Sequence, residues 1–175
     1  MRNRGAILTL EEVSGLRWVK ALLLAAGVAF ALGAGTGVQA AQPKCAIQAK
    51  LPPKGLPKGL GPYANKTLEL SPCVDKELAK KGEQLFEQYC SGCHKITQRY
   101  VGPPLKGVTI ARSPEWIMNL FLNTQEMVWN DPIAKALLQQ YLTVMRPPAD
   151  ATEKDFRAIY EYLRYIDATG KTEVK

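Results

Sequence analysis

The chain has 175 residues, 23 basic and 16 acidic side chains, a formal charge of +7 and 46% hydrophobic content. Such a length sets an expectation of one domain. The positive balance would suit nucleic acid, a membrane surface or an acidic protein partner. No Lys/Arg block with interleaved aromatics and no nucleic-acid-binding motif occurs, so an acidic protein partner fits best.

Residues 1–40 read as a secretory signal peptide. A basic flank ending in Arg17 and Lys20 precedes an apolar stretch over 21–38, whose strong part, Ala21–Leu32, is short before Gly33, Gly35 and Gly37 break it. Val38-Gln39-Ala40 then offers a small-residue cleavage site before Ala41. The alternative is an uncleaved N-terminal anchor, since the stretch reaches the lower length limit for spanning. A lipoprotein anchor at Cys45 is disfavoured by Lys44, where such a site wants a small residue. Export implies a periplasmic protein, or a membrane-anchored one facing the periplasm, in a compartment that permits disulfides. Removing the four basic and two acidic residues of 1–40 leaves 19 against 14, a balance of +5.

Residues 41–72 form a Pro/Gly/Lys-rich arm. Its core, QPKCAIQAKLPPKGLPKGLGP, has no apolar periodicity and no acidic residue. This pattern predicts an extended, polyproline-like and solvated leader. The folded domain spans 73–170, and 171–175 read as a polar tail.

From residue 75 the pattern turns helical. DKELAKKGEQLFEQY places Leu78, Leu85, Phe86 and Tyr89 on one face. Residues 91–112, with Gly92, Gly102, Pro103, Pro104 and Gly107, read as loop. Ser113-Pro114 and Asp131-Pro132 each pair a capping side chain with proline at the first helical position. Thr152 with Asp155 is a weaker version of the capping box, and Gly170 ends the last helix. No alternating strand is present. The prediction is all-α, with about four to five helices.

Cys90-Ser91-Gly92-Cys93-His94 is the attachment pattern of a c-type haem. Two thiols three positions apart can each form a thioether with one of two neighbouring vinyl groups, and the next residue then gives the iron an imidazole nitrogen. His94 is the only histidine in the chain, which excludes a second histidine ligand from the same chain. One rival is a zinc site using Cys45, Cys73, Cys90 and Cys93, but it leaves His94 unexplained and the first two cysteines lack paired spacing. A thioredoxin-like pair would need a strand before the motif, where an amphipathic helix stands.

The segment from about Asp75 to Asp167 resembles class I c-type cytochromes. The shared features are Gly82 and Phe86 before the motif, Gly102-Pro103-Pro104-Leu105 after it, and Tyr162-Leu163 in the last helix. The resemblance implies helices wrapped around one covalent haem c, with Gly82 meeting the Tyr162 region where the first and last helices cross. It also implies a methionine as the second iron ligand, just upstream of the last helix. Met145 has that position; Met127 lies in a polar connection, and Met118 sits in an apolar segment suited to core packing. Relatives place proline directly after the ligand, whereas Arg146 intervenes here before Pro147. By the same resemblance Pro103 offers its carbonyl to His94, while Arg112 and Trp116 are positioned like residues that reach haem propionates. For Trp116 a core aromatic role competes, and for Arg112 a solvated charge.

Two axial ligands leave iron no place for substrate, so the expectation is an electron-transfer protein rather than an enzyme. It would be a one-electron carrier between periplasmic or membrane respiratory partners bearing acidic docking surfaces. The alternatives are a cytochrome subunit of a larger redox enzyme and an open-iron haem enzyme such as a peroxidase. Membrane contact is expected only if the leader stays uncleaved. Cys45 and Cys73 remain after haem attachment and form a disulfide candidate, the other possibility being two unpaired thiols.

Overall fold

Four helices begin where the sequence supplies a cap. The structure, a computed structural model, describes residues 45–175, so the signal-peptide or anchor reading of 1–40 lies outside the described residues. Helix α1 (Lys76–Tyr89) starts at Asp75, whose side chain accepts from the Leu78 N–H. Helix α3 (Pro114–Leu122) is capped by Ser113. Asp131 accepts from both Ile133 and Ala134 to open α5 (Pro132–Tyr141). Thr152 and Asp155 form a reciprocal capping box at α6 (Glu153–Thr169). Each cap satisfies N–H groups that a helix cannot pair internally, worth about 1 kcal/mol.

Two short helices complete the fold, α2 (Val108–Ala111) and α4 (Thr124–Asn130). The described residues therefore hold six helices rather than four to five, and no strand beyond an isolated bridge between Gln48 and Cys73.

Among the described elements, helices α1 and α6 make the most extensive contact, and Gly82 permits it. A Cβ at Gly82 would fall 2.6 Å from the Ala158 carbonyl carbon and 2.9 Å from Tyr162 Cβ. Only a residue without a side chain lets the two backbones approach so closely. Around this crossing Phe86 meets Tyr162 with ring centroids 5.5 Å apart, and Phe121 stacks on Phe156 at 4.8 Å. Phe86, Phe156 and Tyr162 are buried, and each contributes roughly 1.5–3 kcal/mol by area.

The arm is not a solvated leader. From residue 45 it runs across α3, α4 and α6, and buried polar side chains hold its backbone. Ser113 donates to the Pro57 carbonyl and Asn119 to that of Lys58, while Asn119 also accepts from the Tyr63 N–H. Glu115 accepts from the Leu68 N–H at 2.7 Å. Arg164 donates to the Ser71 carbonyl and also pairs with Glu161, both side chains being buried. Cys45 and Cys73 are joined as a disulfide with Cα atoms 5.5 Å apart. Extended proline-rich backbone cannot satisfy itself, so the domain supplies its partners.

The tail is likewise packed rather than free. Val174 is buried, its N–H donates to Glu83 and its carbonyl accepts from Lys80. Tyr162 and Tyr165 donate to the carbonyls of Thr172 and Glu173. Among the described residues no helix is long and apolar enough to cross a membrane.

Candidate haem site

The end of α1, the loop that follows it, and α3, α5 and α6 enclose a mostly apolar cavity of about 400 Å³. Phe86, Ile117, Leu137, Ile159 and Leu163 supply much of its wall. Cys90, Cys93, His94 and Met145 all face this one space.

The motif is set by the way α1 ends. The N–H groups of Cys90 and Ser91 both reach the Phe86 carbonyl, and those of Cys93 and His94 turn back to the Cys90 carbonyl. This turn presents both thiols and the imidazole to the cavity. Burial pushes the Cys90 thiol up to about 11, with a smaller contribution from Cys93.

His94 is fixed from behind. Its Nδ1 lies 3.0 Å from the Pro103 carbonyl. A carbonyl only accepts, so Nδ1 carries the proton and Nε2 keeps its lone pair. Gly102 presses flat on the ring, where a Cβ would come within 2.5 Å of Cε1 and 2.8 Å of Nδ1. The Gly102 N–H donates to the Cys93 carbonyl at 2.8 Å, and Leu105 and Lys106 close the loop onto Ile96. Gly102 is therefore a positioning residue, a role that its place in the Gly102-Pro103-Pro104-Leu105 stretch does not by itself reveal.

The three candidate methionines separate cleanly. Met127 has no exposed surface, and its sulfur accepts from the Leu60 N–H at 3.1 Å, beneath the arm. Met118 is buried in the core with Phe86 and Phe156. Met145 alone lines the cavity, in the segment between α5 and α6.

Trp116 and Arg112 stand differently toward the cavity. Trp116 does line the cavity, but its indole N–H donates to Asp131 at 3.1 Å, so that N–H is committed to the α5 cap. It contributes a ring face, not a hydrogen bond. Arg112 is not part of the wall; it donates to the Ala111 carbonyl and lies over the Trp116 ring at 5.6 Å. Arg146 and Pro147, the departure after Met145, both line the cavity.

The zinc arrangement is not assembled. Cys45 and Cys73 bond to each other, and no group of three or more His, Cys, Asp or Glu side chains among the described residues is placed to hold a metal ion. A haem fits what is present: two thiols, an imidazole with its nitrogen lone pair free and a thioether sulfur, all around one apolar cavity.

Comparison with curated proteins finds no match. Among solved structures, cytochrome c from Rhodothermus marinus is 41% identical with a TM-score of 0.57, over 61% of this chain and 90% of that one. An engineered form of it, described as bound to a carbene intermediate, is 40% identical with a TM-score of 0.55 over the same shares. The family model described as Cytochrome c matches residues 79–167, from the first turn of α1 almost to the end of α6. With this match, and with Cys90, Cys93 and His94 gathered on one apolar cavity, the chain belongs to the cytochrome c family and carries one covalently attached haem c.

Proposed function

We propose that this chain is an exported, periplasmic one-electron carrier in which His94 and Met145 ligate the haem iron. The observation that carries the reading is that both side chains face the cavity onto which Cys90 and Cys93 open. The haem, when bound, supplies the one-electron iron couple; the chain supplies everything else. Cys90 and Cys93 tether the group. His94 holds its proton at Nδ1 against Pro103, which leaves the Nε2 lone pair free to bind iron and would raise its basicity. The thioether of Met145 favours Fe(II) relative to a second imidazole and so raises the potential. Apolar walls from α3, α5 and α6 exclude water.

Export rests on the leader-like residues 1–40, with retention of that segment as an anchor the alternative. The partners are redox proteins with acidic docking surfaces, complementary to the +5 balance left without the leader. A place as one subunit of a larger redox enzyme is compatible with the same site.

A second reading, an open-iron haem enzyme, is favoured by one observation: residues 143–147 make no hydrogen bond among the described residues. Displacement of Met145 would then expose the iron. One substitution tests both readings. In the haem-loaded protein Met145→Ala is expected to abolish the weak long-wavelength absorbance band of ferric methionine ligation, lower the potential and admit carbon monoxide to the ferrous iron. Wild-type protein that already lacks the band and binds carbon monoxide would favour the open-iron reading.

A further inference from the structure

We propose that Arg99 is a positioning residue for the second axial ligand, tying the loop that carries His94 to the element that presents Met145. The inference rests on the reading of Met145 as that ligand. Arg99 belongs to the loop after the attachment motif, the part of the site most densely held by its own backbone bonds. Its Nη2 donates to the carbonyl of Gln140 at 2.9 Å, and its guanidinium lies 4.4 Å from the centre of the Tyr141 ring.

Both partners are the last residues of α5. The Gln140 carbonyl is one of the four that a helix leaves without an internal partner at its C-terminus, where a cation is also favoured by the helix dipole. The planar guanidinium satisfies the carbonyl and covers the adjacent aromatic face together, which a lysine does less well. Tyr141 lines the cavity, and the chain turns at Leu142 to reach Met145. Arg99 touches neither thiol, imidazole nor thioether. It fixes the point from which the segment to Met145 departs, and that segment has no hydrogen bonds of its own among the described residues. Releasing the point increases the freedom of the thioether and weakens its hold on iron.

The test uses the haem-loaded full chain at one pH, titrated with imidazole as a competitor for the methionine site. Arg99→Gln is expected to tighten imidazole binding about fivefold to tenfold, from the loss of one charge-assisted hydrogen bond and one cation–π contact. Its ferric methionine band should weaken while the helical circular dichroism stays as in wild type. Arg99→Lys should recover part of both signals. Unchanged imidazole affinity and band in Arg99→Gln, with Met145→Ala removing the band, would overturn the clamp alone. Persistence of the band in Met145→Ala would overturn the ligand reading and the clamp with it.

Discussion

The two segments that face the haem cavity from opposite parts of the chain are built differently. The loop from Cys93 to Lys106 is tied to itself by backbone bonds at Gly102, Leu105 and Lys106, and it backs His94 with a carbonyl and a glycine. The segment from Leu142 to Pro147 is suspended between the α5 terminus and the α6 capping box. Beyond the bond that ends α5, it makes no hydrogen bond among the described residues. It even includes Leu142 at φ 53°, a left-handed conformation with 85% of the residue exposed. One side of the site is over-determined and the other is held at its ends. A ligand on the first is built for permanence, and a ligand on the second for adjustment.

A control remote from both segments should give the largest stability change without touching that contrast. The Cys45–Cys73 bridge closes a loop with a sequence separation of 28. Chain-entropy arguments assign such a loop ~3.5 kcal/mol. The double variant Cys45→Ser/Cys73→Ser should lose stability of that order in denaturant titrations, while the haem absorbance spectrum stays nearly unchanged. A spectrum that changes in step with stability would show that the arm sets the site.

Gly102→Ala strikes the rigid side directly. The new methyl would press on the His94 ring, and overpacking of this kind costs about 1–3 kcal/mol. Denaturation should show the loss, with a lower fraction of chains carrying haem on maturation. An alanine accepted at no cost would mean the loop is softer than its hydrogen bonds imply.

Leu142→Gly acts on the suspended side and with the opposite sign. Removing a Cβ from a left-handed position should stabilise the fold by about 1 kcal/mol. A calorimetric rise of a few degrees, without loss of the methionine band, is the expected result.

The smallest effect concerns pH. Asp155 anchors the far end of the suspended segment, and its carboxyl is held well below the usual carboxylate range by Lys81 first and by Thr152 next. A depressed folded-state value means stability that is present above the ordinary carboxylate range and is lost as pH falls toward the folded value. Acid should therefore loosen the α6 start, and the methionine band should fade between about pH 4 and pH 2 before haem absorbance collapses. Asp155→Asn should weaken the band at neutral pH and flatten that acid dependence.

What could be read from the sequence was whatever is decided by neighbours in the chain. Helices α1, α3, α5 and α6 were legible because Asp75, Ser113, Asp131 and Thr152 stand directly before them. Helix α2 has no side-chain cap of its own; Asp167 reaches the N–H groups of Gly107 and Thr109 from 60 and 58 positions away. Helix α4 also lacks one, because Asn123 is turned to the Leu60 carbonyl and to Glu126. In the site, Cys90, Cys93 and His94 are adjacent and announce themselves. The indole partner of Trp116 is not legible in the sequence, because Asp131, the cap of α5, accepts that N–H across 15 positions. Arg99 carried no signal, since its partners are a backbone carbonyl and a ring some 40 positions later.

The docked arm has a consequence for the order in which this protein folds. Its bonds to Glu115, Asn119, Met127 and Arg164 span 47 to 93 positions, all of them towards later residues. A segment made early in synthesis thus waits for α3, α4 and α6 before it can settle, because long loops must close before such contacts pay. Arm contacts should form on the native side of the folding barrier, so their loss would speed unfolding and leave the folding rate almost untouched. The arm is then a latch on the lifetime of the folded state, not a guide to reaching it.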